Sequence, residues 1–293
     1  MILNVSGRCD IVAFYTDWFM KRYEEGFVDV RNPFYPTFVS RIYFENVDAI
    51  MFCTKNPLPI LPHLSKIHQP ILFHITLTPY KKDIEPNVID KRLIIKGIKE
   101  LSKSIPKENI YVRYDPIFIS DVYTIDYHIR AFERMCTLLD GYVEHIIISF
   151  LDEYKNVQKN RHILKDHPLG EDEYQRIGLS FAQSAKAHGM SVQTCAEEHH
   201  LCEYGFIRSD CISKELAFQL THKKYKRWNA RGKKCNCVEM ADIGTYNCCS
   251  HLCRYCYANY DESVVIKNMK QHDDASTMLV GHLRDDDRVK VRK

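Results

Sequence analysis

Short apolar runs closed by polar residues, and mostly separated by stretches of helix length, constrain this chain more than any other feature. Six of them are Ile2–Ser6, Ala49–Cys53, Ile71–Leu77, Ile110–Val112, His145–Phe150 and Ser191–Thr194. A seventh candidate, Val238–Ile243, comes after a long gap. Such runs read as buried strands. Between them, Tyr15–Tyr23, Asp90–Ser104, Thr124–Leu139 and Asp172–His188 carry helical periodicity, the last closed by Gly189 in a C-cap position. Phe27–Phe44, with Asn32-Pro33 and Tyr35-Pro36 inside it, reads as an extended excursion. Strand alternating with helix implies a parallel sheet with right-handed crossovers. The expected fold class is therefore α/β, a (β/α) barrel or partial barrel, with a doubly wound sheet as the alternative.

In β/α barrels the functional groups collect where the strands end. The strand ends of this chain are polar again and again: Ser6, Arg8 and Asp10; Thr54, Lys55 and Asn56; Thr76 and Thr78; Arg113 and Asp115; Ser149 and Asp152; Cys195, Glu197 and Glu198. Any one of these is more often there for solubility than for chemistry. Their recurrence at every strand end is the useful signal.

The chain has 293 residues, 45% of them hydrophobic and 27% charged, the proportions of an ordinary globular protein. A net charge of +3 implies no strongly charged partner. No run of 18 apolar residues is present, so no membrane-spanning helix is expected, and Met1–Ser6 lacks the basic and apolar regions of a signal peptide. Twelve cysteines without an export signal point to a reducing, cytoplasmic setting. There, clustered cysteines more often bind metal than form disulfides.

Three cysteines stand close together near the C-terminus: Cys249, Cys253 and Cys256, in C-x3-C-x2-C spacing with Tyr255 before the third. Three thiolates on one loop can hold three irons of a [4Fe–4S] cluster and leave the fourth open for chemistry. The zinc alternative would take Cys248 or His251 as a fourth ligand, but zinc motifs usually come as two matched pairs. The loop follows one strand candidate and precedes a helical stretch, Ala258–Gln271. No G-x-S-x-G, P-loop or H-E-x-x-H motif occurs.

This spacing, with an aromatic next to the last cysteine, resembles the signature of the radical S-adenosylmethionine (SAM) superfamily. The chain also resembles a bacterial family of unknown function, DUF1848, which carries such a cysteine cluster at its C-terminus. The likeness rests on Arg8-Cys9-Asp10-Ile11, Thr54-Lys55-Asn56-Pro57, Thr76–Tyr80 with Ile84–Asn87, Arg113-Tyr114-Asp115-Pro116, Thr194–Glu198 and Asp242–Asn247. A weaker likeness is to spore photoproduct lyase. The sequence departs from the family pattern at Cys9, Cys53 and Cys248, which are set aside as incidental. The resemblance implies a barrel of radical SAM type, circularly permuted so that its cluster-bearing β/α unit comes last, with Val238–Ile243 beside Ile2–Ser6. It implies a [4Fe–4S] cluster on Cys249, Cys253 and Cys256 that cleaves SAM to a 5′-deoxyadenosyl radical, fed by a one-electron donor such as flavodoxin or ferredoxin. Tyr255 would offer a backbone contact to the adenine. Thr76, Thr78, Arg113 and Asp115 are the candidates for the rest of SAM, on position alone. An unidentified substrate would enter near Arg8, Glu197 and Glu198.

Of the remaining cysteines, Cys136 reads as a core residue and Cys202 has no evident role. Cys195, Cys211 and the C-x-C pair Cys235 and Cys237 can come together as four thiolates. They would hold a second [4Fe–4S] cluster or a zinc, or remain free thiols. The expected organisation is one domain over residues 1–271. It contains a cysteine-bearing insertion at 199–237 and the cluster strand, loop and helix at 238–271. The charged residues 272–293 are expected to form a mobile tail. The basic stretch Lys223, Lys224, Lys226, Arg227, Arg231, Lys233 and Lys234 reads first as solvated charge. Beside cysteines it also raises a second function class, an iron–sulfur or zinc protein that binds nucleic acid without radical chemistry, and a third, a radical enzyme acting on nucleic acid.

Overall fold

The strands, in chain order, are β1 (Ile2–Val5), β2 (Phe27–Arg31), β3 (Phe38–Tyr43), β4 (Ala49–Thr54), β5 (Ile71–Thr76), β6 (Ile110–Ile117), β7 (His145–Phe150), β8 (Ser191–Thr194), β9 (Met240–Asp242) and β10 (Arg288–Val291). The helices are α1 (Ile11–Phe14), α2 (Thr16–Glu25), α3 (Lys91–Leu101), α4 (Ile125–Leu139), α5 (Lys155–Leu164), α6 (Glu171–Ala187), α7 (Lys214–Thr221) and α8 (Glu262–Met269). The computed structural model describes residues 1–197, 201–228 and 235–292. Side-chain caps start several of the helices where the sequence turns polar: Asp90 accepts from Arg92 N, Thr124 from Tyr127 N, and Asp261 from Ser263 N.

Seven strands form one parallel sheet in the order β8-β7-β6-β5-β4-β1-β9. From β1 to β8 each strand of this sheet lies beside its predecessor, always in the same direction. Right-handed crossovers that never reverse put their helices on one face. Residues of α2, α3, α4 and α6, among them Trp18, Phe19, Ile98, Phe132 and Phe181, accordingly share one core with Leu3, Val5, Phe52, Phe73 and Val112 of the strands. A doubly wound sheet needs a reversal of direction, and β1 to β8 have none. The strands from β1 to β8 wind in one direction, and among the described residues the sheet stays open, with β8 and β9 as its edges. Residues 207–212 lie between those edges: Ile207 N donates to Val192 O at 2.9 Å, and Val238 N to Ile212 O at 3.0 Å.

The other face of the sheet carries Ile2, Ala49, Met51, Leu72, Tyr111, Ile147 and Met240. Against it pack Ile212, Ala217 and Leu216 from the 201–238 segment, with Cys211, Cys235 and Cys237. The stretch expected as an insertion is thus what covers this face.

The excursion around Asn32-Pro33 is an antiparallel hairpin, β2 with β3. Its third strand is β10, parallel to β3, from the segment whose composition read as a tail. Residues 272–292 lie along the body of the protein. Met278 and Leu279 are buried, Trp18 Nε1 donates to Ser276 O at 2.9 Å, and Arg31 pairs with Asp287. A segment this charged needs few apolar contacts when ion pairs and backbone pairing hold it.

The last strand of the sheet meets the first. Ile2, Leu3 and Asn4 pair with Met240, Ala241 and Asp242. The Asp242 carboxylate then accepts from Asn4 Nδ2 (3.2 Å), Ser6 Oγ (2.9 Å), Gly7 N (2.7 Å), Arg8 Nε (3.2 Å) and Gly244 N (2.7 Å). Gly244 is required here by close approach: a Cβ on it would stand 1.8 Å from Ser6 Oγ and 2.8 Å from Ser6 Cβ. Gly244→Ala is expected to lower stability by about 1–3 kcal/mol through this overlap. Ser6→Gly in the same chain should recover part of that loss, read as the urea midpoint; equal losses in both backgrounds would refute the contact.

Candidate metal centre

β9 delivers the chain into residues 243–261, which cross the C-terminal ends of the strands without regular structure. Backbone groups in such a segment need partners from elsewhere. Side-chain amides supply many of them. Buried Asn156 Nδ2 donates to the carbonyls of Cys256, Tyr257 and Asn259 at 3.3, 2.9 and 2.9 Å. Asn160 holds Arg254 O at 2.7 Å and Asn87 holds Ser250 O at 2.8 Å. Asn259 holds Cys249 O at 2.7 Å, and the Tyr15 hydroxyl holds Cys248 O at 2.7 Å. Arg254 N donates in turn to Ile84 O at 2.9 Å. The loop is therefore fixed by α5, the β5–α3 connection and the start of α2.

Cys249, Cys253 and Cys256 face a common buried region and feel one another electrostatically. The Cys9 thiol donates to Cys249 and holds it down at about 7, against burial and with help from His251. Burial pushes Cys256 up to about 11, opposed by the backbone N–H groups of Ala258, 3.3 Å from its sulfur, and Asn259. Burial likewise raises Cys253, opposed by Lys55. Cys9, set aside on sequence grounds, is thus a neighbour of the centre. Its sulfur also lies 3.3 Å from Cys248 O. Cys248 donates to Thr245 O at 2.9 Å and His251 Nε2 lies 2.8 Å from Asp10 Oδ2, so of the two groups considered as a fourth ligand the Cys248 thiol and one nitrogen of His251 are engaged elsewhere.

Asp10 is the hinge between this loop and the strand ends. Its carboxylate caps α1 through Ala13 N (2.9 Å), accepts from Lys55 N just past β4 (2.7 Å) and receives His251. The His251 pKa is raised: burial opposes, but the Asp10 carboxylate outweighs it. Beside it, Glu85 is 1% exposed and accepts from Lys55 Nζ (2.9 Å), Thr78 Oγ1 (2.6 Å), Lys91 and the Tyr255 hydroxyl. Lys55 Nζ lies 5.5 Å from the Tyr255 ring centre. Two ammonium groups and a buried carboxylate thus stand beside the thiols.

These thiols, the Asp242 junction and all the strand ends of the parallel sheet lie within a stretch, residues 2–258, that matches the sequence profile of a domain of unknown function, DUF1848. The chain belongs to that family. Comparison with curated proteins and with solved structures finds no match. Residues 272–292 lie beyond the part shared with DUF1848.

The positions expected to contact SAM separate into two groups. Thr78 and Tyr255 meet at Glu85, beside Cys253. Arg113 and Asp115 form an ion pair one strand further along, with Thr76 paired in register to Arg113. Arg113 Nη1 turns toward Cys211 Sγ at 3.3 Å, and Asp115 accepts from Ser149. At the expected mouth, Arg8 is tied to Asp242 and Glu197 accepts from Phe150 N at 2.9 Å. Glu198, Arg231, Lys233 and Lys234 lie outside the described residues. Within the rest of the basic stretch, Lys223 and the Tyr225 hydroxyl hold Asp48, and Arg227 holds Cys235 O at 2.9 Å. The sequence did not single out Cys9, Glu85, Lys91 or the asparagines that pin the loop, although Cys9, Glu85 and Asn87 fall within the motifs that carry the family likeness. Among the described residues, no three cysteine, histidine or carboxylate donors are gathered as a ready site for a single metal ion.

The three loop thiols nevertheless fit an iron–sulfur cluster in their chemistry. They are soft donors in a largely dry region, with a peptide N–H aimed at one sulfur and a lysine nearby to balance thiolate charge. His251 Nδ1, Arg254 Nε and Asn259 Oδ1 on the same loop are buried without a protein partner.

Burial raises the Glu85 pKa, but Lys55, Lys91 and Thr78 bring it from its ordinary 4.5 down to about 2. A depressed carboxylate stabilises the fold above its unfolded value and loses that contribution as pH falls toward the folded one. Stability measured in chelator-treated protein is expected to fall between about pH 4.5 and 2, by about 3 kcal/mol for a shift of this size. Glu85→Gln should flatten that limb and weaken the protein at pH 7, seen as thermal midpoint against pH. An unchanged profile in the variant would refute the assignment.

Proposed function

We propose that this chain is a radical SAM enzyme, with a [4Fe–4S] cluster on Cys249, Cys253 and Cys256. The observation that carries the reading is placement. Three thiols on one loop are brought by the β9–β1 pairing to the C-terminal edge of a parallel sheet, where β/α folds keep their chemistry. The sheet is read as a partial barrel of radical SAM type, permuted so that its cluster unit is last. A cluster bound there supplies the electron that cleaves SAM to methionine and a 5′-deoxyadenosyl radical, which takes hydrogen from a substrate not yet identified.

The residues of the chain have definable parts in this. Asn156, Asn160, Asn87 and Asn259 fix the loop so that its thiols keep their positions. Lys55 offsets negative charge at Cys253 and Cys256. Tyr255 and Tyr80 wall the region with buried rings 5.7 Å apart, excluding water from a reaction that water would divert. Thr76 and Asp115 stand on the strand-end rim for SAM, and the backbone of Tyr255 for its adenine. The supply of electrons falls to a small one-electron carrier such as flavodoxin or ferredoxin.

The other reading is a metal-stapled protein that binds nucleic acid. Its motive is the basic stretch, of which Lys223 and Arg227 are engaged within the fold. Anaerobic purification followed by dithionite and SAM separates the two. Iron and sulfide at about four per loop cluster, with 5′-deoxyadenosine released, is the expected result. Cys253→Ser should abolish both the loop cluster and deoxyadenosine formation. Reconstituted protein that leaves SAM intact would overturn the proposal.

A further inference from the structure

Four thiols outside the cysteine loop converge on the sheet face opposite the crossover helices. Cys195 lies just past β8, Cys211 is among the residues 207–212 between the sheet edges, and Cys235 and Cys237 precede β9. Cys211 Sγ is 2.8 Å from Cys195 Sγ, and Cys237 touches both Cys211 and Cys235 through its thiol. We propose that Cys195, Cys211, Cys235 and Cys237 bind one tetrahedral metal ion of the zinc class. This goes beyond the radical reading and does not rest on it.

Cysteine alone is a good core filler, and any one of these four would pass as such. Four in a row, each against the next and from three separate chain segments, are harder to explain by packing. The residues that carry them need a fastening. Among the described residues of 201–238 the only α-helix is α7, of eight residues, and 207–212 is joined to β8 and to Val238 by one backbone hydrogen bond each. A structural metal supplies folding energy where apolar contacts are few.

Spacing decides the kind of metal. A tetrahedral ion with metal–sulfur bonds of about 2.3 Å sets its sulfurs about 3.8 Å apart, which is contact range. A [4Fe–4S] cube puts each sulfur on a different iron and spreads them wider. Here the sulfurs are strung in the order 195, 211, 237, 235, each touching the next, rather than gathered on one point. Gathering them asks for side-chain rotation at the ends of the row. Spreading them onto a cube would push apart segments packed against Ile212, Val238 and Met240.

Two further features agree. Four thiolates on a divalent ion carry net negative charge, and Arg113 donates to Cys211 Sγ at 3.3 Å. Buried His74 hydrogen-bonds to the Cys211 backbone, while its Nε2 and the Nε2 of Gln193 on the same face have no protein partner. Polar atoms left so in a core mark where a further group belongs.

The test uses the full chain carrying C249A, C253A and C256A, so that loss of the loop cluster and loss of this site are read apart. Grown with zinc, it is expected to keep about one zinc per chain through dialysis against a chelator. Cobalt(II) exchange should give the intense visible bands of a tetrahedral all-thiolate site. Mercurial titration of the folded protein should release the zinc as four buried thiols react. Adding C235S and C237S should remove the metal. If those two changes prevent folding, the cobalt spectrum and the mercurial titration decide. About four irons with sulfide in place of zinc would overturn the single-ion site in favour of a cluster. No bound metal, or zinc retained when C235S and C237S are present in folded protein, would overturn it altogether.

Discussion

The Asp242 carboxylate is the contact on which the rest of this structure depends. It sits at the end of the last strand of the parallel sheet and gathers five donors, four of them from the end of the first. A parallel pair offers evenly spaced but slanted backbone bonds, and β9 has only three residues with which to make them. So short a strand needs its end fixed. With Asp242 in place, the turn at Gly244 runs over the strand ends, and the three thiols arrive beside Lys55, Thr78 and Asp10, which come from other parts of the chain.

Charge beside the thiols is arranged in pairs that leave little uncompensated. Lys55 and Lys91 share Glu85; His251 shares Asp10. A buried charge without a partner would cost several kcal/mol, so each cation near the cysteines is paired with a carboxylate, the two lysines with the same one. The His251–Asp10 pair ties the loop to the end of β1, and the Tyr255 hydroxyl ties it to Glu85. Electrostatics and architecture are here one arrangement: to move the loop is to separate an ion pair in a dry environment.

The sequence made the sheet legible because a strand buried on both faces is an apolar run, and seven such runs became its seven strands. It made Cys249, Cys253 and Cys256 legible because three cysteines on one loop leave a local spacing. The openness of the sheet was not legible, since closure depends on two edges far apart in sequence. Nor was the role of 201–238, whose few apolar residues meet the sheet singly. The segment 272–292 was hidden because ion pairs and pairing to β3 hold it, and neither leaves a periodic pattern. Cys9 lay in a quoted motif yet was dismissed as a departure from it; its contact with Cys249 spans the whole chain and only the fold reveals it. Asn156 and Asn160, about a hundred residues from the carbonyls they hold, were invisible for the same reason.

The pairing of β9 with β1 also orders events in time. Asn4 and Asp242 are 238 residues apart, so the first strand of the sheet is synthesised long before its outer neighbour. Domains can begin to fold while translation continues. Through most of that period β1 has β4 on one side and an open edge on the other, and the loop that carries Cys249, Cys253 and Cys256 does not yet exist. The thiols therefore emerge onto a sheet that is otherwise complete, and the strand that covers its open edge comes out just before them. A ribosome that stalls before residue 240 leaves behind a nearly finished sheet with an exposed edge and no centre.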